Sequence, residues 1–268
     1  MAEETIGFVG AGNMASSLAG GMIARGMAPE RILFSDRDPE QLARCRDRHG
    51  ADTATDNGEL VRRCDAVILA VKPQQMEEVC RALAPAARAD QLFLSIAAGV
   101  PVARLRDWLG DVPVIRTMPN TPSLVQVGAT GLFAGPGVTD AQRVLAEEVI
   151  SSVGLALWFE EEGDLDKVTA VSGSGPAYFF LLMEAMIAAG EEMGLGEQQA
   201  RQLVLQTARG AAELAAGSDL DPAALRAQVT SPGGTTAAAL EVLDEAGFRE
   251  LMARAMAAAR KRAVELGG

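Results

Sequence analysis

At 268 residues the chain is long enough for one large or two modest domains with a buried core. A net charge of −12 argues against nucleic acid as a partner, because its phosphates would be repelled, and 49% hydrophobic with only 4% aromatic residues calls for a core of Ala, Leu, Val and Met. Three scattered cysteines (Cys45, Cys64, Cys80) and one histidine, His49, argue against a His/Cys metal centre; with no signal-like N-terminus they fit reduced thiols in the cytoplasm.

Residues 6–9 form a short apolar strand that runs into Gly10-Ala11-Gly12-Asn13-Met14-Ala15, and an Ala/Met/Leu-rich helical pattern continues from Met14 to Arg25. This G-x-G-x-x-A is a dinucleotide fingerprint. The first Gly makes the tight turn, the second lets pyrophosphate approach the backbone, and Ala15 allows close helix–strand packing. The helix N-terminus adds N–H groups and partial positive charge for the phosphates. A second strand, Arg31–Ser35, ends at Asp36, where an acidic residue suits a ribose 2′-hydroxyl.

Further strand-like runs lie at Ala66–Val71, Leu92–Ile96 and Val114–Arg116, with helical patterns over Pro39–His49, Gly58–Arg63 and Gln74–Leu83. Strands interleaved with helices predict a parallel sheet with right-handed crossovers. A strand over Gly128–Phe133, a helix over Thr139–Ser152 and a strand over Leu155–Phe159 complete one edge of it. Ligands of such sheets sit beyond the C-terminal strand ends. There the sequence offers Val71-Lys72-Pro73-Gln74, Ser95-Ile96-Ala97-Ala98-Gly99 and Arg116-Thr117-Met118-Pro119-Asn120-Thr121-Pro122, small or polar exits that suit one shared crevice.

The acidic stretch Glu160–Asp164 marks the domain boundary: 1–160 as the dinucleotide-binding domain and 161–268 as a second, all-helical one. Helical patterns cover Pro176–Met193, Glu197–Ala216, Pro222–Val229, Thr236–Asp244 and Phe248–Leu266. The apolar run 170–190 carries one charge, Glu184, but Gly173, Gly175 and Pro176 break its first third. The helix left after that break is short for a bilayer, which favours burial against a partner subunit over a membrane span. Between two helices, Thr230-Ser231-Pro232-Gly233-Gly234-Thr235-Thr236 presents small residues whose N–H groups can converge on a carboxylate, or simply a turn and helix cap.

These segments together resemble the pyrroline-5-carboxylate reductase family over essentially the whole chain. They are IGFVGAGNMA (6–15), AVKPQ (70–74), SIAAGV (95–100), RTMPNTP (116–122), AVSGSGPAYFFLLMEAM (170–186) and TSPGGTTAAAL (230–240). The resemblance implies an α/β protein, with an N-terminal Rossmann-type parallel-sheet domain followed by an all-helical dimerisation domain that interlocks with a second copy. A homodimer, with a higher ring of dimers left open, would reduce a small cyclic imine acid to L-proline using NADPH or NADH. It places Gly10, Ala11, Gly12, Asn13 and Met14 at the pyrophosphate and Ser35, Asp36 and Arg37 at the adenosine ribose. Asn57, Ala70, Val71, Lys72, Pro73, Ser95, Ile96, Ala97 and Ala98 line the rest of the cofactor cleft. Met118 and Asn120 face nicotinamide and substrate. Ser231, Gly233, Gly234 and Thr235 hold the substrate carboxylate, the Thr236 hydroxyl reaches the ring nitrogen, and Gly173–Pro176 with Tyr178 wall the pocket.

The residue inventory bears on this independently. A dehydrogenase of alcohols or ketones moves a proton with its hydride and commits a His, Lys or Tyr to it. This chain has one His, one Tyr and three lysines, Lys72, Lys167 and Lys261. A cyclic imine is basic enough to be protonated by solvent, so a threonine hydroxyl and good orientation suffice. NADP against NAD stays open: Asp36 favours NAD, whereas Ser35 and Arg37 suit a 2′-phosphate. Two rival readings are a 3-hydroxyacid dehydrogenase, which would need a lysine in the first long helix of the second domain, and a non-catalytic nucleotide sensor.

Overall fold

The computed structural model describes residues 4–54 and 56–267, which fall into two compact units: residues up to Ser174 with the C-terminal segment from Ala259, and Gly175–Ala258. In the first unit, strands and helices alternate as β1 (Ile6–Val9), α1 (Asn13–Ala24), β2 (Ile32–Ser35), α2 (Pro39–His49), β3 (Asp52–Ala54), α3 (Asn57–Arg63) and β4 (Ala66–Leu69). They continue through α4 (Met76–Leu83), β5 (Leu92–Ser95), α5 (Val102–Leu109), β6 (Val114–Met118), β7 (Gly128–Ala134), α6 (Asp140–Ser151), β8 (Gly154–Trp158) and α7 (Asp164–Val168). The sheet order is β3-β2-β1-β4-β5-β6-β7-β8. Neighbouring strands are parallel except β6 and β7, which run antiparallel and so depart from an all-parallel sheet. The order reverses direction beside β1, the switch point at which an open α/β sheet leaves a ligand crevice.

Both faces of the sheet are covered. Ile6, Phe8, Phe34, Ile68 and Leu94 pack on one side with Leu18 and Met22 of α1, Cys45 of α2 and Ile150 of α6. Val9, Leu33, Val67, Leu69 and Phe93 pack on the other with Leu60, Met76, Cys80 and Leu105. That is why β1, β2, β4 and β5 read as unbroken apolar runs. Besides α7, two elements were not among the predicted ones. β3 is a three-residue edge strand with Asp52 exposed, too short and polar for a pattern. The other, α5, buries Val102, Leu105 and Leu109 at helical spacing.

Burial pushes the Cys64 and Cys80 thiols up to about 12. Their folded values lie above the usual 9.0, so the native state favours the neutral thiol. The stability linked to this is fully present below pH 9.0 and is lost as pH rises toward about 12, where the folded thiols themselves ionise. Each thiol is expected to remove up to about 1.4 kcal/mol per pH unit in that window. Urea midpoints measured between neutral and strongly alkaline pH, with Cys64→Ala and Cys80→Ala as references, check this; equal slopes in all three proteins would contradict it.

After α7 the backbone stays helical as a π-helix over Thr169–Gly173, bends at Ser174 and continues in the second unit as α8 (Gly175–Glu192). The helical run therefore starts at Asp164, earlier than the expected start near Pro176, because the glycines bend the chain without stopping it. By length and composition, Asp164–Glu192 is long and apolar enough to cross a bilayer, which the predicted break had discounted.

The rest of the second unit is α9 (Glu197–Ala216), α10 (Pro222–Gln228), α11 (Thr235–Glu245) and the first half of α12 (Phe248–Gly267), with no strand between 175 and 258. Its buried residues are only Gly175, Gly190, Ala200 and Val204. Phe179, Phe180, Leu181, Met193, Leu203, Leu214 and Val242 are all more than half exposed. Five helices that bury so little of their apolar surface in one protomer need a partner surface.

Candidate active site

The glycine turn after β1 takes its shape from backbone needs. Gly10 has φ +103°, and a Cβ there would lie 2.7 Å from the Ala70 carbonyl oxygen. Its N–H donates to the Ser35 carbonyl (2.8 Å), which joins the exits of β1 and β2. A Cβ at Gly12 would project into open space, with nothing within 4 Å, so the backbone there is bare toward solvent. Gly12 is the N-cap of α1, has no side-chain cap bond, and no acidic residue occupies the first turn. The first-turn N–H groups therefore remain available to an anion. Room for a pyrophosphate and donors to meet it are both present.

Ala11 lies between the two glycines of this turn. It is buried, and its N–H donates to Asp36 Oδ2 (2.7 Å). The other oxygen of Asp36 accepts from the N–H of Asp38 (2.9 Å). Asp36 thus holds the glycine turn with a carboxylate whose charge is already shared with two backbone donors. Its neighbour Ser35 is buried and donates from Oγ to Asn57 Oδ1 (2.5 Å). Arg37 is exposed and pairs with Glu78 of α4 (Nη2–Oε1 2.5 Å).

A cleft of about 230 Å³ collects Gly10, Gly12, Ser35, Asp36, Arg37, Asn57, Ala70, Val71 and Lys72 from four strand exits. Gln75 and Val79 also line it and were missed by the sequence reading. Their signal was the i, i+4 spacing on a helix that begins just after a strand exit. Ala11, Asn13, Met14, Pro73 and the 95–98 turn do not line this cleft. Ser95 and Ala97 are buried, while Ala98 is exposed.

The β6 exit is committed to internal bonds. Thr117 Oγ1 donates to the Ser95 carbonyl (3.0 Å), tying two strand ends together. The Asn120 amide donates to the Ser172 carbonyl in the π-helix (3.0 Å), and its oxygen accepts from the N–H of Ala129 (2.9 Å). Met118 lies against Gly173, where a Cβ would sit 2.6 Å from its Cε. Arg116, nearly buried, pairs with Glu162 (3.1 Å) and Asp166 (3.8 Å). These contacts fix the π-helix to the β6 exit, and π-turns of this kind concentrate at functional sites.

His49 ends α2, before the left-handed cap Gly50, as predicted from its position. Its Nε2 shares a hydrogen bond with Ser16 Oγ (2.8 Å) and its ring lies near Phe34. Partial burial, and then the Arg48 charge, lower its pKa, which keeps it neutral near pH 7. Among the described residues no group of His, Cys, Asp and Glu could hold a metal ion.

In the second unit, Gly233 has φ +68° in the loop before α11, and Gly234 is the N-cap with no side-chain cap bond. The Gly234 N–H donates to the Ser231 carbonyl (3.0 Å), which closes the loop on itself. The first turn of α11 contains Thr235 and Thr236 and no acidic residue. Its N–H groups are the ones that lack intrahelical partners. A cavity of about 820 Å³ beside the loop includes Thr230, Gly233 and Gly234 with Arg226; Ser231, Thr235 and Thr236 do not line it.

A glycine turn at the switch point of a sheet in this order defines a dinucleotide-binding protein of the Rossmann type. Residues 5–99 match the family described as NADP oxidoreductase, coenzyme F420-dependent, and residues 162–266 match pyrroline-5-carboxylate reductase dimerisation. The pyrroline-5-carboxylate reductase of Pseudomonas aeruginosa is 51% identical over 99% of this chain and 98% of its own length. The solved pyrroline-5-carboxylate reductase of Coxiella burnetii superposes with a TM-score of 0.95 at 42% identity, covering 99% of each chain. The pyrroline carboxylate reductase of Plasmodium falciparum, solved with NADP bound, gives 0.88 at 30% identity over 100% of each chain. The chain belongs to the pyrroline-5-carboxylate reductase family.

Proposed function

We propose that this protein reduces 1-pyrroline-5-carboxylate to L-proline with NADPH, as the last step of proline synthesis, and that its residues divide that work as follows. The first-turn N–H groups of α1, from Gly12 to Met14, hold the pyrophosphate. Ser35, Arg37 and Asn57 hold the adenosine ribose, and Asp36 keeps the glycine turn in shape. Ala70–Pro73 and the Ser95–Ala98 turn bound the cleft toward the nicotinamide. Met118 packs near that ring, and Asn120 positions the β6 exit through its two bonds. When bound, NADPH supplies the hydride that adds to the imine carbon.

Ser231, Gly233, Gly234 and Thr235 cradle the substrate carboxylate at the uncapped start of α11, and the Thr236 hydroxyl meets the ring nitrogen. Solvent protonates the imine, so no stronger acid is required. The observation that carries this reading is the uncapped first turn of α11 beside two threonines, in a chain 51% identical to a reductase of this name. Functionally, 1–160 serves the dinucleotide and 161–268 serves dimerisation and substrate. The apolar surface is spread over five helices, which suits a second subunit better than lipid, and we place the enzyme in the cytoplasm as a homodimer.

The test is the reverse reaction. With L-proline at high pH, the purified protein is expected to reduce NADP⁺ in proportion to enzyme, and to do so poorly with a linear amino acid. No proline-dependent signal with either NADP⁺ or NAD⁺ would overturn the reading.

A further inference from the structure

The cleft that gathers the adenosine-side residues has one charged partner that the proposed function does not use. Arg37 lines it from the exit of β2, while Gln75 and Val79 line it from the start of α4. Glu78 lies on α4 between those two positions, and its Oε1 accepts from Arg37 Nη2 at 2.5 Å. Both side chains are about 70% exposed, at 72% for Arg37 and 68% for Glu78, so the pair sits within reach of a solute entering the cleft. The other anion near the turn, Asp36, is occupied by the N–H groups of Ala11 and Asp38. The charge around an incoming 2′-phosphate is therefore set by Arg37 with the carboxylate that holds it, and by Lys72, which lines the same cleft from the β4 exit.

We propose that Glu78 is a specificity-determining residue, one that competes with the cofactor's 2′-phosphate for Arg37 and so limits the preference for NADPH over NADH. The physical reason is direct. A guanidinium binds a phosphate dianion in a bidentate fork only if its donors are free. Glu78 already takes one of them and adds a negative charge beside the phosphate. NADH has a hydroxyl where NADPH has the phosphate, makes no such demand, and does not feel this competition. Because the pair is exposed, its effect is modest and screened by salt.

This inference rests on the cofactor placement proposed above, and the experiment separates the two. The dissociation constants of NADPH and NADH, from nicotinamide fluorescence without substrate, and kcat/KM for each are measured on Glu78→Gln, Arg37→Ala, the double variant and Asn57→Ala, all in the full chain, and the NADPH-to-NADH ratio is read from both. Glu78→Gln is expected to raise the NADPH-to-NADH ratio about two- to fivefold at low salt, the range of an exposed charge pair. The gain shrinks in about 1 M salt, where the Debye length is about 3 Å. In the double variant the ratio falls back to that of Arg37→Ala. An unchanged ratio in Glu78→Gln, equal changes with both cofactors, or a gain that persists in full without Arg37 overturns the inference. If Asn57→Ala weakens cofactor binding while Glu78→Gln does nothing, the placement stands and the role of Glu78 falls. If neither substitution alters the KM of either cofactor, the placement itself falls.

Discussion

Replacing Thr236 by alanine is expected to lower kcat for the imine about 10²-fold, the scale on which loss of reactant orientation acts, and to leave the KM for NADPH within about twofold. Thr236 is half-buried in the first turn of α11, one residue beyond Thr235 and two beyond the N-cap Gly234. The backbone N–H groups of that turn survive the substitution, so the substrate carboxylate keeps its cradle and the KM for substrate rises only slightly. What is lost is the hydroxyl that orients the ring nitrogen. Thr236→Ser restores the hydroxyl and is expected to recover most of kcat. If alanine matched the wild type in kcat, Thr236 would be a helix residue and nothing more. If it raised both KM values without touching kcat, the loop itself would have been disturbed.

The contrast between Thr236 and Asn120 shows what a sequence reveals and what it hides. The strand exits, the glycine turn and the threonine loop were legible because each needs an unusual composition: Gly10 for a positive φ, and Gly233 and Gly234 for a loop no helix could contain. The direction in which a polar side chain points needs no such composition. Asn120 sits in a motif that suggests a ligand contact, yet both ends of its amide bind protein backbone, one to Ser172 and one to Ala129. Asp36, read as a ribose partner, lines the cleft and in addition accepts from the N–H of Ala11. Those partners lie 52, 9 and 25 residues away in sequence, so no local pattern encodes them. The π-helix of 169–173 was hidden for a related reason. Gly173 within it and Gly175 just after it are ordinary helix breakers, and its contacts, Met118 against Gly173 and Asn120 with Ser172, come from a distant strand exit. β8 and α6 were readable, with bounds within one residue, because their apolar spacing carries the information locally.

The largest effect is expected from charge placed on α8. Phe180 and Leu181 are 62% and 66% exposed in a single protomer, on a helix whose only buried residues are Gly175 and Gly190. If that surface is the core of a dimer, each large side chain contributes about 2 kcal/mol on burial. In a two-fold interface every substitution acts twice. Phe180→Asp with Leu181→Asp is therefore expected to cost on the order of 10 kcal/mol of association, counting the buried charges as well. Sedimentation should show a monomer, and activity should fall below detection. Because Ala200 and Val204 are the only other buried residues between 175 and 258, the helices of that unit should also lose much of their far-ultraviolet dichroism. The wild type supplies the control that does not depend on whether the variant folds. Its melting temperature should rise with protein concentration, as mass action requires of a dimer whose subunits are stabilised by association. A melting temperature independent of concentration, together with a monomeric variant that kept its helicity and turnover, would mean that 175–258 stands alone. The exposed apolar faces of α8, α9 and α11 would then have to be stable in water, against everything their composition requires.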